Sequence, residues 1–267
     1  MLTTSKLTKL NEALKKYSKK YLNGKYTELD ESGTRLMINS FLMDVLGYEA
    51  LEEIKTEYMI KGTYADYVIQ IKGKRHFLIE VKALTLNLSE AHLRQAINYG
   101  ANEGIEWALL TNGKSFDFYK ILFNKPIEAR KIFSLDLSDT SKLKVSAEFL
   151  QFLHKDAVIS KGLELLWNKS MALDPANVAG YLYASTVLNY IKKALKDKYN
   201  HKFSDDEVKV ALDKIVFEAI ELSDIKHIKA KKSAPRLSKT KGTIDNPIEI
   251  VMDRFEAHQE SEEENKD

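Results

Sequence analysis

Two oppositely charged side chains lie two positions apart in an otherwise apolar segment, HFLIEVKA, at residues 76–83. The alternation of the segment predicts a buried strand, in which residues two apart share a face. Glu80 and Lys82 therefore project to one side of the strand, while Ile79 and Val81 project to the other. Because burying either charge alone is unfavourable, the pair must be compensated by a partner or by a ligand.

A second carboxylate, that of Asp66, lies on the preceding predicted strand, YADYVIQI, at residues 64–71. The intervening turn KGKR contains Gly73, a permissive residue for a hairpin, and pairing across it brings Asp66 close to Glu80. Two carboxylates close together in a partly dry site raise each other's pKa unless a cation lies between them. Mg²⁺ is the simplest such cation, because it binds one or two carboxylates, keeps several waters and contacts phosphate oxygens. Lys82 would then hold a metal-polarised water or stabilise charge that develops on the phosphoryl group.

The elements that must position these residues follow from the spacing of apolar residues and from helix and turn signals. Helices are predicted over 5–21, from Asp30 or Ser32 to Leu46, and over 89–102, with Gly47 and Gly104 ending the last two. Strands are predicted over 54–60, 64–71, 76–83, 106–113 and 115–123. The order helix, three strands, helix, two strands describes a compact α/β domain that ends near Leu137.

The rest of the chain is predicted to be helical and then to change in composition. The predicted organisation is an N-terminal helix at 1–27, the α/β domain at 28–140, a small all-helical domain at 141–225 and a tail at 226–267. The tail is basic at first and acidic at its end, a composition typical of disorder.

Composition excludes several classes of protein. The 267 residues include no Cys, which excludes a disulfide framework and thiolate metal sites, and no apolar run approaches the length of a membrane span. The N-terminus has no signal-peptide pattern, so we expect a cytoplasmic protein with no membrane partner. The segment TNGKS at 111–115 looks like part of a phosphate loop, but that motif requires Gly at the position of Ala108, so no ATP site is predicted.

The charged residues at the strand ends resemble a known nuclease signature. Asp66 followed by Glu80, Val81 and Lys82 is similar to the PD-(D/E)XK motif, although Ala65 stands where the motif has Pro. That Pro is the least chemical part of the motif. The resemblance implies a restriction-endonuclease-like αβββαβ core with a central mixed sheet, followed in this chain by the small all-helical domain.

A narrower resemblance extends over residues 28–122. In QAINYG, Gln95 and Tyr99 lie four apart on one helical face and match the Q-x-x-x-Y element of several branches of that superfamily. The chain resembles the N-terminal nuclease domain of type I restriction enzyme R subunits, in a short stand-alone form. The resemblance is carried by five segments that occur in the expected order: ESGTRLMINSFLMDVLGY, YADYVI, LIEVKA, QAINYG and WALLTNGKSFDFY.

The resemblance implies roles for the residues at the motif positions. It implies that Asp66, Glu80 and the backbone carbonyl of Val81 bind the metal, with Mg²⁺ as the cofactor and Mn²⁺ as a substitute. It implies that Lys82 positions or activates the attacking water. Gln95 would orient this lysine or contact the nucleic-acid backbone.

Two further positions have a structural alternative. Glu31, on the helix that opens the domain, matches an acidic residue that assists metal binding, but a carboxylate at a helix N-terminus is also favoured by the helix dipole. Tyr99 is implied as a supporting residue or a contact to the nucleic-acid backbone, and core packing is the alternative.

The predicted function is a Mg²⁺-dependent endonuclease of the restriction and defence type that hydrolyses DNA without an ATP-driven motor of its own. Its predicted partners are DNA and either restriction-system subunits or a second copy of the chain. One alternative is a catalytically silent nuclease fold that binds nucleic acid or a restriction-system partner. Another is a structural protein in which Asp66, Glu80 and Lys82 form a satisfied buried ion cluster, although such clusters rarely stabilise a core.

Overall fold

The computed structural model describes residues 1–60 and 63–219, and the structural statements below refer to these residues. The chain divides into two compact units, of which the first is Met1–Asn168 and the second begins at Lys169. The predicted tail at 226–267 lies outside the described residues. Within the described part of the chain, no helix is both long and apolar enough to cross a membrane.

The first unit is a mixed α/β structure. Its helices are α1 (Thr4–Tyr21), α2 (Glu31–Ser40) with a π-helical continuation (Phe41–Val45), α3 (Glu90–Glu103), a 3₁₀ turn (Thr140–Lys142), α4 (Leu143–Leu150), α5 (Lys155–Ile159) and α6 (Gly162–Ala172), which crosses the unit boundary. Its strands are β1 (Ile54–Ile60), β2 (Thr63–Ile71), β3 (Lys74–Val81), β4 (Trp107–Thr111), β5 (Ser115–Leu122) and β6 (Glu128–Asp136).

The six strands form one mixed sheet in the order β1-β2-β3-β4-β5-β6, which confirms the predicted fold class. Neighbouring strands are antiparallel except for β3 and β4, which are parallel. A parallel pair cannot be joined by a tight turn, so the chain leaves the sheet after β3 and returns through α3. The sixth strand, β6, was not predicted. It pairs along the whole of β5 and extends the sheet.

The two faces of the sheet are covered by different helices. The face that carries Tyr67 and Ile79 contributes to the main apolar core, together with residues of α1, α2, the π-helix and α4. The face that carries Val68 and Leu78 packs against α3 through Ala96 and Tyr99. Because Asp66 and Glu80 alternate with the residues of the main core, they belong to the α3 side of the sheet.

The hairpin between β2 and β3 contains an irregularity that sets its register. Lys72 and Gly73 form the two-residue connection, both with positive φ (48° and 80°), as a tight right-twisted hairpin requires. Gln70 pairs with Arg75 and Ile69 pairs with Phe77, so His76 is the extra residue of a β-bulge. Beyond the bulge, Tyr67 pairs with Ile79, and the carboxylates of Asp66 and Glu80 therefore lie level with each other as predicted.

Helix α3 lies unusually close to the sheet at Gly100. A Cβ atom added there would come within 2.4 Å of Ile121 Cδ1 and 2.7 Å of the backbone oxygen of Ile105. A side chain at this position would force the helix away from the strands.

We therefore expect Gly100→Ala to destabilise the protein. Ala in a helix interior normally stabilises by about 1 kcal/mol relative to Gly, but overpacking against a backbone atom costs about 1–3 kcal/mol. The expected net effect is a loss of about 1 kcal/mol in the free energy of unfolding, measured by urea denaturation. An Ala variant as stable as the wild type would show that α3 is free to move, and the exposed substitution Ala91→Gly calibrates the propensity difference.

The second unit is helical. It contains α7 (Pro175–Leu182), α8 (Ser185–Tyr199) and α9 (Asp205–Ala219), which share a small apolar core that includes Leu188, Val208 and Leu212. The predicted helical domain begins at residue 141, whereas the boundary between the units falls after Asn168. The difference has a physical cause, because α4 and the start of α6 bury Leu143, Leu150 and other side chains in the main core of the first unit.

Candidate active site

Glu80 and Lys82 form a hydrogen-bonded ion pair at the end of β3. Lys82 Nζ lies 2.6 Å from Glu80 Oε1, and the two residues are 9% and 1% exposed, respectively. The predicted sharing of one strand face is thus confirmed. Beyond the strand, the N–H of Lys82 donates to the carbonyl of Thr111, which continues the pairing with β4 past the last strand residue.

Asp66 approaches the same site from β2. Its Oδ2 accepts a hydrogen bond of 2.7 Å from the N–H of Val81, and its Oδ1 lies 2.5 Å from Arg35 Nη2. Asp66 is 6% exposed, so both of its oxygens are engaged in a largely dry environment. The peptide of Val81 is thereby fixed between the two carboxylates, while its side chain is buried in the main core.

The start of α2 supplies the remaining charges. Asp30 caps the helix through a 2.7 Å hydrogen bond from Gly33 N to Asp30 Oδ1, which places Glu31 in the first turn. Glu31 Oε1 lies 2.8 Å from Arg35 Nη2, and Glu31 Oε2 lies 3.9 Å from Lys82 Nζ. Glu31 therefore faces the site and is not only a helix-terminal carboxylate.

Arg35 was missed by the sequence analysis. It lies four residues after Glu31, a spacing that puts both side chains on one helical face, and this was the available signal. The main chain of α2 is held at this point by Tyr67, whose hydroxyl donates a 2.8 Å hydrogen bond to the carbonyl of Arg35.

Helix α3 brings Gln95 and Tyr99 to the lysine. Gln95 Oε1 lies 3.5 Å from Lys82 Nζ, and Gln95 Nε2 donates a 2.8 Å hydrogen bond to the hydroxyl of Tyr99. Tyr99 is 4% exposed and also belongs to the apolar cluster beneath α3. Tyr99 therefore both packs in the core and contacts Gln95. The contact fixes the side-chain amide of Gln95 with its oxygen toward the ammonium of Lys82.

The burial of these charges changes their acid–base properties. Burial raises the pKa of Glu80 to about 7, reinforced by the charges of Asp66 and Glu31 and opposed by Lys82. Burial likewise raises the pKa of Asp66, although Arg35 acts in the opposite direction. Burial alone would lower the pKa of Lys82, but the hydrogen bond and charge of Glu80 outweigh it, so the pKa is raised. Lys82 is therefore a protonated cation at neutral pH.

The capacity of the site for a metal rests on one unsatisfied atom. Glu80 Oε2 is buried and has no hydrogen-bond partner among the described residues, which is unfavourable for a carboxylate oxygen. The described residues contain no group of three or more Asp, Glu, His or Cys side chains arranged to hold a metal ion. Mg²⁺ does not need such a group, since one or two carboxylates with a backbone carbonyl and waters suffice. The residues present therefore fit a hard divalent cation.

Comparison with known protein families agrees with this geometry. Residues 30–130 match the family model described as the type I restriction enzyme R protein N terminus. All the predicted site residues, and Arg35 as well, lie inside the matched segment. Comparisons with curated proteins and with solved structures gave no match. Residues 30–130 of this chain are therefore similar to the type I restriction enzyme R protein N-terminal domain, and the assignment of this segment to the PD-(D/E)XK group follows from that family.

Proposed function

We propose that the first unit is a Mg²⁺-dependent endonuclease that hydrolyses DNA phosphodiester bonds in a restriction system. The observation that carries this proposal is the buried Glu80 Oε2 at the end of β3, which has no hydrogen-bond partner in the part of the chain that the structure describes and lies beside a charged Lys82 and level with Asp66. A divalent cation would satisfy that oxygen. The family of residues 30–130 supports a restriction-type nuclease.

The proposed chemistry is attack of water on phosphorus, which forms a new P–O bond, breaks the P–O bond to one sugar oxygen and transfers a water proton through solvent to that leaving oxygen. A bound Mg²⁺ would supply Lewis-acid activation of the water and of the phosphoryl oxygens. Asp66 on β2, together with Glu80 and the carbonyl of Val81 on β3, would hold it, since the pairing of the two strands brings these residues level. Mn²⁺, which accepts the same oxygen ligands, is the proposed substitute.

Lys82 is proposed to act through its charge and its hydrogen bonds. The hydrogen bond and the charge of Glu80 raise the pKa of Lys82, which favours the protonated ammonium in the metal-free site. Its ammonium donates hydrogen bonds, which suits it to hold the attacking water and to stabilise negative charge on the phosphoryl oxygens. Gln95, fixed by Tyr99, limits the directions in which the ammonium can point.

The test is cleavage of supercoiled plasmid DNA by the full chain in Mg²⁺, in Mn²⁺ and in EDTA. We expect nicking or linearisation that requires metal and is lost in Glu80→Ala. Parallel reactions with and without ATP should proceed at the same rate, because cleavage is proposed to need no nucleotide. Cleavage by Glu80→Ala equal to that by wild type would contradict the assignment.

A second candidate function is favoured by the ion pairs already present. Arg35 is paired with Asp66, and Lys82 is paired with Glu80, so each carboxylate already has a cation beside it. This arrangement also suits a nuclease fold that binds nucleic acid or a restriction-system partner without cutting. Salt-dependent DNA binding without cleavage in either metal, and without a metal-induced rise in melting temperature, would establish this alternative. A rise in melting temperature with Mg²⁺ would favour the nuclease.

A further inference from the structure

The side chain of Arg35 bridges two carboxylates of the candidate site. Its Nη2 lies 2.5 Å from Asp66 Oδ1 and 2.8 Å from Glu31 Oε1. The other oxygen of Asp66 accepts the N–H of Val81. A metal that binds Asp66 through Oδ1 would therefore compete with the guanidinium for that oxygen.

The charges of the site make this competition strong. Glu31, Asp66 and Glu80 carry three negative charges when ionised, while Arg35 and Lys82 carry two positive charges. A divalent cation beside Asp66 would place two further positive charges against the guanidinium, in surroundings where charge interactions are poorly screened. Repulsion between the two cations would therefore weaken the contact of the guanidinium with Asp66 Oδ1.

We propose that Arg35 is a positioning residue that exchanges partners: it holds Asp66 before the metal binds, and it moves to a substrate phosphate afterwards. This inference rests on the proposed nuclease function. A guanidinium is suited to both partners, because its planar donors match carboxylate and phosphate oxygens equally well. Its side chain is 31% exposed, so it has access to a ligand from solvent.

The exchange makes metal and DNA binding cooperative. Without metal, Arg35 is held on Asp66 and contributes little to binding DNA. With metal, the guanidinium is displaced from Oδ1 and its charge is offered to the phosphodiester. The negative charge of the phosphate would also compensate part of the positive charge that the cation adds, so each of the two ligands favours binding of the other.

The test is to measure two affinities in Arg35→Gln and in wild type. Calorimetric titration of the full chain with Mn²⁺, without DNA, is expected to show about tenfold tighter binding in the variant, because no guanidinium competes. Anisotropy titration of a fluorescent DNA duplex in Ca²⁺, used as a cation that slows cleavage, is expected to show about tenfold weaker binding. A residue needed only for folding would weaken both.

The fold should tolerate the change, because Tyr67 binds the main-chain carbonyl of Arg35 and not its side chain. If Arg35→Gln does not fold, Arg35→Lys provides the second variant, because it keeps the charge but loses the planar fork of donors. Arg35→Lys should also bind Mn²⁺ more tightly and DNA more weakly than wild type, but by smaller factors than Arg35→Gln. Arg75→Gln is the matched control, since Arg75 forms an ion pair with Glu103 outside the site and its loss should change neither affinity.

The possible results are distinguishable. Tighter Mn²⁺ binding with weaker DNA binding supports the exchange. Unchanged or weaker Mn²⁺ binding by Arg35→Gln, when the wild type binds Mn²⁺ and cleaves DNA, overturns the exchange and leaves the nuclease function standing. A wild-type protein that neither binds Mn²⁺ nor cleaves overturns both.

Discussion

Replacing Lys82 by Met is expected to reduce the rate of metal-dependent DNA cleavage by about 10³-fold while metal binding persists. Lys82 Nζ lies 2.6 Å from Glu80 Oε1 and 3.5 Å from Gln95 Oε1, so the ammonium is fixed beside the proposed metal ligands without being one. Met fills a similar volume without the charge or the hydrogen-bond donors. The substitution should therefore lower the rate of the chemical step.

The measurement is single-turnover cleavage with saturating enzyme, accompanied by calorimetric titration with Mn²⁺ on the same samples. Lys120→Met is a close control, because Lys120 is equally buried (side chain 12% exposed, against 11% for Lys82) and is also paired with a glutamate, Glu106. It lies over Trp107 in the sheet, away from the carboxylates. Equal losses in both variants would attribute the effect to removal of a buried charge in general.

Glu80→Gln is expected to remove a pH-dependent loss of stability in the absence of metal. The pKa of Glu80 is raised from 4.5 to about 7 by burial, so between these values the folded state holds a proton that the unfolded state has released. Stability therefore falls as pH rises through this range and levels off above it. The full effect is on the order of 3 kcal/mol, since each pKa unit corresponds to about 1.4 kcal/mol.

Urea denaturation at several pH values between 4.5 and 8 measures this effect. The difference in unfolding free energy, wild type minus Glu80→Gln, should fall by up to about 3 kcal/mol across the range, because all other titrating groups are common to both proteins. Saturating Mg²⁺ should reduce the pH dependence of the wild type alone, since a cation favours ionised Glu80. Parallel pH profiles in EDTA would show that folding does not raise the pKa of Glu80.

The part of the site that could be predicted from the sequence is the part that depends on residues close together in the chain. The alternation of HFLIEVKA places Glu80 and Lys82 on one face, and helical spacing places Gln95 and Tyr99 on one face. Pairing across a tight turn then brings Asp66 level with Glu80. Each of these steps uses neighbours in the chain, and the family resemblance supplied the roles.

The rest depends on contacts between distant segments. Arg35 becomes part of the site only because α2 lies against β2, and a single sequence does not encode that contact in any local period. Strand β6 does carry a local signal, because buried Phe133 and Leu135 alternate with exposed Ser134 and Asp136, but the alternation is short. The bulge at His76 follows from the register that the whole sheet adopts.

The sheet and its outer helices place different constraints on how this sequence can evolve. The first compact unit is Met1–Asn168, but the family match covers only 30–130. Helix α1 meets the core mainly through an apolar stripe that includes Leu10 and Leu14, and α4 does so through Leu143 and Leu150. Many sequences satisfy an apolar stripe, whereas few satisfy a set of paired charges. The flanking helices should therefore tolerate more substitutions than the segment that holds the paired charges.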